Sequence, residues 1–130
     1  MEYTIQVRSD YDFESTIEAL ETALAEEGFG ILSDIDFKAT FAKKLDEEFV
    51  DYRVLGACNP PFAYDALEEE IEVGALLPCN VVVRSTAEGE VYVDAVDPET
   101  VIGIAENPKL DEIATEIKAL LEDALAEVAA

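Results

Sequence analysis

The sequence predicts a single α+β domain over residues 1–130, with segments in the order β-α-β-α-β-α-β-β-α. Short stretches of alternating apolar residues are interspersed with stretches whose apolar residues recur every three or four positions, as in strands and amphipathic helices. The last two predicted strands are separated only by Ala87-Glu88-Gly89, which is typical of an antiparallel hairpin with Gly89 in a left-handed conformation. We therefore expect an antiparallel sheet with helices packed mainly on one face.

The first part of the chain is predicted to form a strand, a helix and a second strand. The first strand places alternate residues on the core face: Tyr3, Ile5 and Val7. Asp12 is the predicted N-cap of the helix, and Gly28 lies where a C-terminal glycine is favoured. The apolar stripe of that helix contains Phe13, Ile17, Leu20 and Leu24. Residues 29–35 then form a strand that we expect to be buried on one face.

The second helix is the least acidic part of the chain. Its apolar residues are spaced by four: Phe37, Phe41 and Leu45. The same run contains three of the eight cationic residues: Lys38, Lys43 and Lys44. A third strand over residues 52–58 follows it.

The third helix begins at an Asn-Pro pair. Asn59 suits the N-cap and Pro60 the first helical position, where its missing N–H costs nothing. The predicted apolar stripe of this helix is Ala63, Leu67 and Ile71. Pro78 is placed at the entrance of the fourth strand or on an edge strand, because it cannot donate to a sheet ladder.

The last part of the chain is predicted to form the hairpin and the longest helix. In the hairpin, the pair Val81 and Val83 faces the pair Val91 and Val93. A second Asn-Pro pair, Asn107-Pro108, begins the final helix. Its stripe contains Leu110, Ile113, Ile117, Leu120, Leu121, Ala124 and Val128.

The net charge is the strongest compositional signal. Eight Lys and Arg residues face 31 Asp and Glu residues, which gives −23 with the acids spread along the whole chain. Its magnitude is far larger than the roughly 2–8 that solubility needs. Repulsion among so many like charges destabilises a folded domain in dilute salt. We interpret it as adaptation to concentrated salt, with K⁺ or Na⁺ held as diffuse counterions. The same charge argues against nucleic acid and anionic membrane surfaces as partners.

The sequence contains no signal for export or membrane insertion. The first residues lack a basic region followed by an apolar one, and no apolar run approaches the roughly 20 residues of a spanning helix. We therefore expect a cytoplasmic protein, in a compartment where thiols are usually reduced.

The sequence lacks the residues that several kinds of catalysis and ligand binding require. The chain contains no His, so histidine-dependent catalysis and histidine-containing metal sites are excluded. No glycine-rich phosphate loop is present, and we expect no cofactor. Acidic runs at Asp46-Glu47-Glu48 and Glu68-Glu69-Glu70 lack the ligand spacing of a calcium loop, so we expect no specific metal site.

Cys58 and Cys79 are the only thiols and lie 21 positions apart. Cys58 precedes a predicted helix N-terminus, a position that lowers the pKa of a thiol. The negative field of a chain with a net charge of −23 would raise that pKa. The sequence does not decide between these opposing effects. Free cysteines are most often small buried apolar residues.

The residues around the two cysteines resemble those of a known family. Ala57-Cys58-Asn59-Pro60 at the end of a strand, and Leu76-Leu77-Pro78-Cys79 before a valine strand, are similar to domain-of-unknown-function family 302. The resemblance covers essentially the whole chain. It implies a small α+β domain, often self-associating, with no agreed activity.

Two functional hypotheses follow. The first is a non-enzymatic module that forms a homodimer and binds a small molecule at a site containing Cys58, Asn59, Pro60, Pro78 and Cys79. The second is a thiol-dependent redox or soft-metal-binding protein that uses the two cysteines. A carboxylate-dependent enzyme is disfavoured, because nothing in so acidic a chain distinguishes one pair of acids.

Overall fold

The computed structural model describes residues 2–130. Its strands are β1 (Thr4–Ser9), β2 (Gly30–Asp36), β3 (Tyr52–Cys58), β4 (Cys79–Ser85) and β5 (Val91–Val96). Its α-helices are α1 (Phe13–Glu26), α2 (Phe37–Leu45), α3 (Pro60–Glu69), α4 (Pro98–Ile102) and α5 (Pro108–Ala126). Two 3₁₀ segments, Ile71–Leu76 and Gly103–Ala105, complete the elements. No helix among the described residues is both long enough and apolar enough to cross a membrane.

The strands form one five-stranded antiparallel sheet in the order β1-β5-β4-β3-β2. The α+β class is confirmed, and the order of elements matches the predicted one apart from the additional α4 and the two 3₁₀ segments. β4 and β5 pair as the predicted hairpin. β1, the first strand of the chain, pairs with β5, the last strand.

The core lies between one face of the sheet and the helices. In β4, Cys79, Val81 and Val83 are buried, whereas the residues between them are exposed or half-buried. The buried stripes of α1 and α5 cover this face, and α3 packs against α5. Burial of apolar surface, which stabilises the fold by about 25 cal/mol per Å², is the main force that holds these layers together.

Local signals in the sequence placed several element ends correctly. The Asp12 carboxylate caps α1 by accepting a hydrogen bond from the Ser15 amide at 2.8 Å. Gly89 has a φ of 87° in the hairpin loop, as predicted for a left-handed position. Asn107 caps α5 by accepting a hydrogen bond from the Lys109 amide at 3.1 Å.

The prediction that the second strand is buried on one face is wrong. β2 is an edge strand, and Ile31 is its only residue that is not exposed. β2 is the last strand of the sheet, so it lies at the margin of the layer formed by α1 and α5. Phe29, which precedes β2, supplies the buried side chain instead.

Three further details differ from the sequence predictions. Ile71 is 79% exposed, because α3 ends at Glu69 and the chain turns into a 3₁₀ segment before reaching it. Ala66 is the buried residue of α3. In the hairpin, Val83 lies opposite Val93, but Val81 lies opposite Ala95 and Val91 lies opposite Ser85, so the predicted pairing of the four valines is only partly met. Tyr3 precedes β1 and is exposed.

Helix α2 packs against β3 through a cluster of aromatic rings. Phe37 contacts Phe41 and Tyr52, and Phe49 contacts Phe41 and Tyr52, with centroid separations of 5.1–5.8 Å. None of the residues of α2 is fully buried, and Leu45, the last residue of its predicted stripe, is exposed. The helix therefore covers only one corner of the sheet.

Candidate ligand pocket

An apolar cavity of about 260 Å³ opens between the sheet and α3. Its walls come from the start of β2, the end of β3, α3, the Ile71–Leu76 segment, the start of β4 and one side chain of α5. The lining residues are Phe29, Leu32, Ala57, Cys58, Asn59, Phe62, Ala63, Ala66, Leu67, Gly74, Leu77, Pro78, Cys79 and Ile117.

Four of the five predicted site residues line this cavity. They are Cys58, Asn59, Pro78 and Cys79; Pro60 is the exception and begins α3 outside the lining. The sequence missed the apolar walls, among them Phe29, Phe62 and Ile117. Their spacing is the same as that of core residues, so no local signal marks them as lining a cavity.

Asn59 is the polar amide of the pocket, and it does not act as the predicted helix cap. It occupies the N-cap position of α3, but its side chain makes no capping hydrogen bond. Its Nδ2 instead donates to the carbonyl oxygen of Glu27 at 3.1 Å, which connects α3 to the end of α1. This bond fixes the amide and leaves Oδ1 as an acceptor. Asn59 is only 8% exposed.

Gly28 makes the approach of Asn59 possible. Its φ of 89° is a left-handed conformation that glycine adopts without strain. A Cβ at Gly28 would lie 3.2 Å from Asn59 Nδ2. The predicted glycine at the end of α1 therefore both ends the helix and makes room for the pocket amide.

Pro78 forms the opposite wall and lies close to β3. The Leu77–Pro78 peptide is cis, and Pro78 directly precedes β4, as predicted. A Cβ built on Gly56 of β3 would lie 3.0 Å from Pro78 Cγ and 2.3 Å from Ser33 Oγ. The missing side chain at Gly56 therefore lets Pro78 and β2 approach the same strand.

The two cysteines are neighbours across β3 and β4. Cys79 lies opposite Ala57, and Cys58 is the next residue of β3. Strand geometry places the Cα atoms of such diagonal neighbours roughly 5.5–6.5 Å apart, within the range of disulfides. Successive side chains of a strand point to opposite faces, however, and both thiols are free in the structure.

Burial determines the chemistry of Cys79. Removal from water, with a smaller contribution from the nearby Cys58, raises the pKa of the Cys79 thiol from 9.0 to about 11. Cys79 is therefore a neutral thiol at ordinary pH and a poor nucleophile. Residues 2–130 also contain no cluster of three or more Cys, Asp or Glu side chains suited to holding a metal ion.

This pKa predicts slow, pH-dependent modification of Cys79. In a Cys58→Ser variant, we expect alkylation by iodoacetamide at about pH 8 to be about 100-fold slower than for a thiol with the ordinary pKa, because less thiolate is present. The rate is expected to rise until the pH reaches about 11. The same variant unfolded in urea provides the reference rate. Fast labelling of the folded variant at about pH 8 would contradict this account.

Together, the fold and the pocket define a small α+β domain with a one-sided helical layer and an apolar cavity at the end of its sheet. The model of the family described as "Domain of unknown function DUF302" matches residues 5–128, and the chain belongs to this family. The resemblance seen in the sequence is thereby confirmed.

A solved structure with the same fold agrees with this assignment. The crystal structure of an uncharacterized conserved DUF302 protein from Bacillus stearothermophilus is 30% identical to this chain, with a TM-score of 0.93. The match covers 98% of this chain and 99% of that one. No curated protein sequence matches the chain.

Proposed function

We propose that this protein is a non-enzymatic module that binds a small, neutral and mainly apolar molecule in the pocket beside Asn59 and Pro78. The observation that carries the proposal is the composition of the pocket wall. Its lining is apolar except for one amide and two thiols. A few placed polar groups in an apolar concavity are typical of small-molecule sites.

The size of the pocket limits the ligand. An engineered apolar cavity of about 150 Å³ is enough to bind benzene. The cavity of about 260 Å³ therefore suits a molecule of one or two small rings, or a short branched chain. Asn59 Oδ1 favours a ligand with one hydrogen-bond donor.

The charge of the chain favours a neutral ligand. No Lys or Arg lines the cavity, and the chain carries −23. An anion would therefore be repelled from a distance and would find no partner inside. A cation would be attracted to the surface, but it would lose its hydration in the apolar cavity without a paired carboxylate.

A thiol-dependent function is the second candidate, and two observations weigh against it. The raised pKa of Cys79 keeps that thiol neutral. A zinc centre needs about four ligands, whereas this site offers two thiols. The arrangement favours the cysteines as small apolar wall residues.

We also propose that the protein functions in concentrated salt. Ion pairs among the described residues engage eight of the 31 acids: Asp10, Glu14, Asp34, Asp51, Glu69, Asp94, Asp97 and Glu99. So many remaining carboxylates are best compensated by a diffuse atmosphere of K⁺ or Na⁺.

Indole tests the binding proposal, because it is neutral, contains two fused rings and carries one N–H donor. We expect binding with a dissociation constant on the order of 0.1–1 mM, as its size allows. Indole-3-acetate, its anionic relative, should bind much more weakly. Isothermal titration calorimetry in molar KCl measures both.

A pocket-filling variant provides the control. Ala63→Phe places a ring in the cavity and should abolish indole binding, whereas Ala119→Phe adds the same ring at an exposed position of α5 and should not. Circular dichroism verifies that both variants fold. If wild type fails to bind indole, or if Ala63→Phe binds it as well as wild type does, the proposed site is wrong.

A further inference from the structure

One face of the sheet lies opposite the helical core and remains largely open. In each strand, the residues that alternate with the buried ones point to this side. The apolar and aromatic members of this open face include Tyr52, Val54, Val82, Tyr92 and Ile35, which is 48% exposed. α2 flanks one corner of this face through Tyr52.

The open face is nearly neutral in a chain of −23. Its charged side chains are Arg8, Arg84 and Asp94, which sum to +1. The flanking α2 contains three Lys and no acid, which adds +3. The rest of the chain therefore carries −23 − 4 = −27.

The polar groups at the centre of the open face already have partners. Arg84 Nε donates to Asp94 Oδ2 at 2.6 Å, and Gln6 Nε2 donates to Asp94 Oδ1 at 2.7 Å. The Arg84 guanidinium also lies 4.9 Å from the centroid of the Tyr92 ring. Covering this face would therefore leave these central groups paired, and Asn80, which makes no side-chain hydrogen bond with another described residue, would need a partner from the second copy.

The β2 edge of the sheet is less suited to association. β2 is interrupted by a register shift between Ile31 and Ser33, and it carries Asp34 and Asp36. Bulges and charges on an edge strand discourage pairing with another strand. Two copies joined through their β2 edges would also bring these acids together.

We infer that two copies of this chain associate through their open sheet faces. A second copy fits because the face combines apolar side chains with charges that largely neutralise each other, so it offers a polyanion little attraction. It is also where two chains of −23 repel each other least. Five strands about 20 Å long and spaced about 4.8 Å apart give roughly 500 Å² per partner. The two faces together would bury roughly 1,000 Å², which is slightly less than the about 1,200 Å² at which specific interfaces begin. We therefore expect flanking surface from α2 to be buried as well.

Sedimentation equilibrium across a KCl series tests this inference. We expect a dimer of 14.2 kDa chains in molar KCl, with the dissociation constant rising as salt is lowered and repulsion returns. Val82→Lys places a charge at the centre of the face and is expected to raise the dissociation constant by about 10- to 100-fold. Lysine also makes the chain less negative, so a weaker dimer could not be attributed to greater overall repulsion.

Ile104→Lys is the matched control, because Ile104 is 70% exposed and lies in the Gly103–Ala105 segment away from the sheet. It makes the same charge change and should leave the dimer intact. Ile35→Lys repeats the test on the same face if Val82→Lys does not fold by circular dichroism. A wild-type monomer in molar KCl would overturn the inference, as would equal effects of the face and control substitutions.

Discussion

The thermal midpoint of this protein is expected to rise steeply as KCl increases from about 0.1 M to about 1 M. Folding brings the carboxylates closer together than they are in the unfolded chain, and the net charge is −23. The screening length falls from about 10 Å to about 3 Å across this range, so most of the repulsion disappears. The stability of a domain is only about 5–15 kcal/mol, and a repulsion of several kcal/mol is a large part of it.

The expected size of the salt effect is measurable by circular dichroism. A gain of about 3 kcal/mol would move the midpoint of a domain of this length by roughly 10–15 °C. Most of the change should come below about 1 M, where the screening length changes fastest. A further slow rise at higher salt would reflect stronger apolar burial, which is a separate effect.

A graded set of charge variants separates repulsion from other salt effects. Glu18, Glu116 and Asp123 are exposed helical acids that take part in none of the ion pairs. Replacing all three by neutral amides changes the charge to −23 + 3 = −20, and replacing them by Lys changes it to −23 + 6 = −17. The salt dependence should become shallower in that order. A flat wild-type midpoint across the series would show that the acidity has another cause.

The second large effect is expected from Gly56→Ala. The added methyl would lie 2.3 Å from Ser33 Oγ and 3.0 Å from Pro78 Cγ, both closer than van der Waals contact. Ser33 can rotate away, but the Pro78 ring is rigid, so the strand or the pocket wall must move. Overpacking of this kind costs about 1–3 kcal/mol. Displacement of Pro78 should also weaken indole binding, which connects the stability effect to the site.

Two comparisons make the Gly56 result interpretable. Gly30 is the first residue of β2, and a Cβ there would meet no atom within 4 Å. Gly30→Ala should therefore have little effect on the thermal midpoint or stabilise the protein slightly. The double variant Ser33→Ala with Gly56→Ala removes the hydroxyl contact and should recover part of the lost midpoint. If both single alanine variants melt at the wild-type temperature, the close approach of Pro78 to β3 is not a tight constraint.

Short-range signals explain which parts of the fold could be predicted. The cap at Asp12, the glycine at position 89 and the Asn107-Pro108 start each depend on a few neighbouring residues. Most apolar stripes were also predicted, because the spacing of apolar residues in the sequence follows the periodicity of helices and strands. The role of Asn59 shows the limit of such signals. Its sequence context suits a cap, yet its amide bonds to Glu27, a residue 32 positions away.

The candidate site was only partly predictable for the same reason. Cys58, Asn59, Pro78 and Cys79 were distinguished by residue type and by their positions at strand ends. Phe62 and Ile117 were not, because an apolar residue that lines a cavity has the same spacing as one that fills a core. Only the packing of α3 and α5 around the sheet shows where space remains.

By itself, the sequence determined the α+β class, the order of the elements, the family and the strongly acidic character of this protein. These properties depend on composition and on patterns that repeat over a few residues. The tertiary structure alone decided that β2 is an exposed edge, that one sheet face is open and nearly neutral, and that four of the predicted site residues share a pocket. The exposed edge follows from the strand order β1-β5-β4-β3-β2, which is set by pairing between distant segments, and the open face and the pocket also depend on where the helices pack. Local periodicity gives each strand two faces, but it does not specify which neighbours or helices will cover them.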